Sequence, residues 1–100
     1  MQGYAFKFLK ESGLAKQILD SENGIKIRYN RIPTHCGGPE KPNSKQYYRF
    51  VSNYLRAVIS LCDESSTHNM VKMKSKHLSM GQDAVKKFRT GWEILEKEYL

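Results

Sequence analysis

Hydrophobic side chains recur along this chain with two different periods. Between residues 3 and 21 the spacing is helical: Tyr4, Phe8, Ala15, Ile18 and Leu19 share one face, with Lys10, Gly13, Gln17 and Asp20 opposite. That pattern predicts an amphipathic helix, weakened at Gly13, where glycine costs about 1 kcal/mol relative to alanine. Asn23-Gly24 supplies left-handed backbone to end it. The same pair could turn a hairpin through DSENGIKI, but Lys16 to Glu22 lacks alternation, which favours the helix.

The period then falls to two. Ile25, Ile27 and Tyr29 alternate with Lys26, Arg28 and Asn30, so GIKIRYNRI reads as a half-buried strand ended by Pro33. Residues 33–43 hold all three prolines and the Gly37-Gly38 pair, and read as a loop.

A second helix is expected over 44–63. Asn43 or Ser44 can cap it, and Gln46 stands at capping-box distance from Asn43. Tyr47, Val51, Tyr54, Leu55, Val58, Leu61 and Cys62 define its apolar face. After DESSTHN, the stretch NMVKMKSK predicts a second strand with Val71 and Met73 inward and Lys72, Lys74 and Lys76 outward. Ser79-Met-Gly-Gln82 has the form of another capping box. It leads into a helix from about 80 to 99 that buries Ala84, Val85, Phe88, Trp92, Leu95 and Tyr99.

The predicted order is α-β-α-β-α. It implies an α+β fold: three amphipathic helices packed on a small two-stranded sheet, in one domain spanning 1–100. An all-α three-helix bundle with irregular connections is the alternative.

Composition adds a bias in charge. Seventeen basic residues face ten acidic ones, giving a net charge of +7 on 100 residues. The surplus sits in the first half, where nine basic and four acidic side chains leave +5. In the last helix Arg89, Glu93 and Lys97 recur every four residues, the mark of a solvated, ion-paired face. A surplus of this size points to an anionic partner.

Two sets of cations lack acidic neighbours in sequence. Lys45, Arg49 and Arg56 align along the middle helix opposite its apolar face, with Ser52, Asn53 and Ser60 beside them. Lys26 and Arg28, with Arg31 following, share the outward parity that Lys72, Lys74 and Lys76 have on the second strand. Were those two strands to pair, like charges would stack, at a cost that a bound anion relieves. Tyr48, beside Arg49, is placed to stack on a base; Tyr29 shares the inward parity of Ile25 and Ile27.

Catalytic and metal chemistry find little support. His35, Cys36, Cys62, His68 and His77 are zinc-ligand types, but no pair has knuckle spacing, and Cys62 falls on the predicted buried face. Cys36-Gly-Gly-Pro reads as turn chemistry, with no acid placed to orient a histidine base. There is no phosphate-binding glycine loop or G-x-G-x-x-G. No cofactor, metal or catalytic residue is expected. The two cysteines read as reduced thiols of a cytosolic protein. The first ten residues lack the features of a signal peptide, and no run approaches the ~18 apolar residues of a membrane span. A soluble, cytoplasmic protein without membrane contact is therefore expected.

The functional expectation is a non-enzymatic binding protein that meets nucleic acid or a nucleoprotein, mainly through phosphates. The alternative is a protein-binding inhibitor or adaptor, such as a phage-encoded, anti-CRISPR-like antagonist of a host nucleic-acid enzyme. Its basic face would occupy an acidic or nucleic-acid-binding groove.

Overall fold

A computed structural model describes residues 2–28, 45–62, 69–74 and 77–99, with backbone alone at 2–5, 28 and 45–47. Within these residues the chain forms α1 (Gln2–Glu11), α2 (Leu14–Leu19), β1 (Gly24–Arg28), α3 (Lys45–Ser60), β2 (Val71–Lys74), β3 (His77–Gly81) and α4 (Gln82–Tyr99). The class is α+β, as expected, and the all-α alternative falls. The count differs: four helices and a three-stranded antiparallel sheet take the place of three and two.

The first difference lies at Ser12-Gly13, where the expected helix breaks into α1 and α2. Gly13 adopts φ +78°, a left-handed conformation that glycine takes without steric cost. The Ser12 hydroxyl accepts from Leu14 N (3.3 Å) and donates to Leu9 O (3.4 Å), satisfying backbone groups exposed by the break. Packing supplies the reason. Phe6, Phe8 and Leu9 are buried, and so are Leu14, Ala15 and Ile18. On one unbroken helix at 100° per residue these triplets would face in nearly opposite directions. The break turns both inward.

The helix also ends before Asn23-Gly24. The last turn of α2 closes through Asp20 N to Lys16 O (2.9 Å) and Ser21 N to Ile18 O (3.1 Å). Arg89 then donates to the carbonyls of Leu19 (2.9 Å) and Ser21 (3.3 Å), supplying cationic donors where a helix end leaves acceptors free. Gly24 instead opens β1, with φ +123°. The Ser21 hydroxyl grips both its backbone groups, donating to Gly24 O (2.6 Å) and accepting from Gly24 N (3.3 Å). A Cβ on Gly24 would stand 2.7 Å from the Met80 carbonyl, so glycine permits the close approach of β1 to β3.

The third strand occupies HLSMG, part of which resembles a capping box in sequence. Ser79 caps nothing; it pairs on both sides within β3, and α4 starts at Gln82. The strand order is β1-β3-β2. In register, Ile25, Met80 and Val71 form one row, and Ile27, Leu78 and Met73 another, both turned toward the helices. Residues 29–32 of the expected first strand, the proline-bearing loop and the proposed caps Asn43 and Ser44 lie outside the described residues.

One core joins all seven elements. Helix α4 buries Ala84, Val85, Phe88, Trp92 and Leu95 as expected, whereas Tyr99 stays 42% exposed. The Trp92 ring stacks on Phe6 (centroids 4.8 Å) and Phe88 (5.7 Å), and Tyr99 also stacks on Phe6 (5.5 Å). Where α4 meets α3, Gly91 is buried against the Val58 carbonyl, and a Cβ there would overlap that backbone.

Helix α3 departs from its expected orientation. Its buried residues are Tyr48, Val51, Ser52, Leu55, Val58 and Ile59. At 100° per residue, that face is rotated by roughly 60° from the one the sequence pattern suggested. Phe50 and Tyr54 occupy the flank instead, edge-on to Phe8 at 5.3 and 5.7 Å.

Candidate nucleic-acid interface

Strand alternation places the sheet's polar positions on the side away from the helices. Lys26, Ser79 and Lys72 form one cross-sheet row; Arg28, His77 and Lys74 form the next. Lys26, Lys72 and Lys74 are exposed, and Ser79 and His77 are half-buried between them. Arg28 is located by its backbone register alone.

This arrangement corrects one part of the sequence reading. Strands β1 and β2 do not pair, because β3 lies between them. With neighbouring strands about 4.8 Å apart, the two basic strands stand roughly 10 Å apart. That is about one Debye length at moderate salt, so their mutual repulsion is weak. The supposed strain from stacked cations is absent. What remains is geometry: cations on both edge strands and, along the middle strand, a floor of Ser79, His77 and Gly81. At the Gly81 end a recess of about 540 Å³ opens, lined by Lys72, Ser79 and Gly81 but also by the acidic Asp83 and by Met80 of the inner face.

The row expected on the middle helix does not survive as a row. Arg49 is exposed, but Arg56 is half-buried and donates through Nη2 to the Val71 carbonyl at 3.1 Å. It ties α3 to β2. Tyr48, expected at an exposed shoulder, is 0% exposed. Ser52 is also buried, and its hydroxyl donates to Arg49 O at 3.0 Å. All three follow from the rotation of α3, which carries Tyr48 and Ser52 into the core and Arg56 against the sheet. Lys45 begins α3, where backbone alone is described.

Cys62 is exposed rather than buried, beyond the end of α3. Its single S–H is shared between the carbonyl oxygens of Ile59 (3.2 Å) and Lys87 (3.3 Å), both within reach of the sulfur. Arg31, Lys76, Tyr29, His35, Cys36 and His68 lie outside the described residues. Among the described residues, no three His, Cys, Asp or Glu side chains gather to hold a metal ion, and no helix is long and apolar enough to cross a membrane.

Sequence reasoning named His77 only as a zinc-ligand type and Ser79 only as a capping residue, and did not place either between the two basic strands. The signal was present in the HLSMG alternation, half-buried positions at 77 and 79 flanking buried Leu78 and separating it from Met80. Comparison with family models, curated proteins and solved structures returned no match.

Proposed function

We propose that this protein is a non-enzymatic, cytoplasmic nucleic-acid-binding domain, and that the outer sheet face is its binding surface. Lys26, Arg28, Lys72 and Lys74 neutralise phosphates, and binding draws its free energy mainly from counterion release. The observation that carries this reading is the register: two successive rows with a cation at each edge and a polar residue between. Exposed lysines on the strand face turned away from the helices keep their charge available to a ligand without disturbing the core. Arg49 and Lys45 belong to α3, on the helix side of the sheet, and Arg31 and Lys76 lie outside the described residues; Arg56 and Tyr48 leave the set, being used by the fold.

The test is binding of mixed-sequence DNA and RNA across a range of salt concentrations. Affinity tighter than ~100 μM at low salt is expected, since weaker binding falls short of ordinary non-specific association. Reversing Lys72 and Lys74 to Glu should weaken binding and flatten the log–log salt dependence, by roughly 0.7 to 0.9 for each phosphate no longer neutralised. A wild-type protein that binds neither polymer at low salt ends this reading.

A further inference from the structure

The shape of the basic face selects among nucleic acids, and the inference drawn from it rests on the proposed function. We infer that the ligand is a single strand lying along β3, with a base stacked on His77 and its phosphates held from both edge strands.

Charge complementarity calls for a polyanion, and the layout narrows which one. The cations stand in two lines, Lys26 and Arg28 on β1 and Lys72 and Lys74 on β2, with one strand between them. Two strand spacings separate the lines by roughly 10 Å. That spacing is between strand backbones, and the flexible four-carbon stems of the lysines can reach over it from either edge. Among the described residues, the outer face presents neither a helix nor a protruding ribbon that could enter a groove. A single backbone fits the layout differently: it can lie over the middle strand and be reached by lysine side chains from both sides.

The middle strand supplies the other half of the argument. Ser79 and Gly81 are small and leave the floor low, and His77 is the ring-bearing residue between the two lines. Imidazole is among the side chains on which unstacked bases settle, a contact a closed duplex cannot offer because its bases already stack on each other. Ser79, half-buried between Lys26 and Lys72, has a hydroxyl that can both donate to a phosphate oxygen and accept from a base edge.

The experiment compares single strands of about 12 nucleotides with the duplexes they form, for wild type, His77→Ala and His77→Phe. Thermal melts run alongside to confirm that each variant is folded. The expected result is a preference of at least about tenfold for the single strand. His77→Ala should weaken single-strand binding roughly 5- to 150-fold, as loss of one stacked base does, and His77→Phe should retain it. Duplex binding as tight as single-strand binding, insensitive to His77→Ala yet lost on reversing Lys72 and Lys74, overturns the single-strand assignment and leaves the basic-face reading standing. Displacement of the strand by polyglutamate at equal charge also overturns it, because the face would then be reading charge alone. Failure to bind either form removes the basic-face reading as well.

Discussion

The two faces of the sheet are built from the same residues taken alternately, and they obey different rules. On the inner face Ile27, Val71, Leu78 and Met80 are buried to within 2% of full exclusion. One residue away, Lys26, Lys72 and Lys74 are exposed. The inner face meets helices packed so closely that a methyl group at Gly91 has no room. No packing constraint of that kind acts on the exposed outer lysines. Stability and the proposed binding are thereby divided by parity along each strand, and a one-residue slip in register would exchange them wholesale.

The division can be broken or sharpened by substitution. The largest effect should come from Trp92→Ala, which removes a ring stacked on both Phe6 and Phe88. A loss of about 3–5 kcal/mol in chemical denaturation is expected, and a loss below about 1 kcal/mol would place Trp92 outside the core. Gly91→Ala follows. Its Cβ must push α4 away from the Val58 backbone, at about 1–3 kcal/mol for overpacking even if the helices give way. Unchanged stability there would mean that the two helices do not cross so closely.

Paired reversals on α3 probe the rotation of that helix. Arg56→Glu should cost about 1–3 kcal/mol, because it deletes the donor to the Val71 carbonyl and leaves that acceptor facing a carboxylate. Arg49→Glu, at an exposed position, should stay within about 0.5 kcal/mol. Equal effects at the two positions would return α3 to the orientation its sequence suggests. The smallest change in stability is expected from Lys72→Glu with Lys74→Glu, again within about 0.5 kcal/mol by thermal melt. The same double variant should show the largest fall in nucleic-acid affinity. A substantial loss of stability would contradict the separation of the two faces.

Legibility followed the length of each pattern. Helix α4 runs for 18 residues, and its apolar positions recur often enough to fix both the element and its face. Helix α3 was legible as an element but not in orientation. Tyr47 and Leu61 suggested one face, while burial of Ser52 and Ile59 set another. A buried serine is invisible to a hydrophobic pattern, since its hydroxyl is satisfied locally by the Arg49 carbonyl. Strand β3 offers two apolar positions, too few to outweigh the capping-box form of Ser79 to Gln82. Gly13 was legible as a weak point; the break there follows from tertiary packing, which brings Leu9 and Leu14 to the same core. For the candidate site, parity placed Lys26, Lys72 and Lys74 on an outward face, but strand order did not follow from parity. Which strand lies between which depends on pairings between distant segments, and no local period encodes them.

That middle strand also bears on how the molecule is assembled in time. Strand β2 reaches β3 through a two-residue connection and α4 continues directly from β3, so these elements are neighbours in sequence. Strand β1 pairs with β3 across about half the chain, from Gly24↔Gly81 to Arg28↔His77. Closing so long a loop costs entropy before any pairing repays it, which slows folding and places such pairings late. Conservative substitutions within 71–99 should therefore slow folding, whereas Ile27→Val should mainly speed unfolding, as measured by stopped-flow refolding and unfolding rates. A slower folding rate with unchanged unfolding for Ile27→Val would reverse that order. Until β1 docks, only one of the two lines of cations is in place. A nascent or partly unfolded chain would then carry the protein's charge without the two-sided surface proposed to bind.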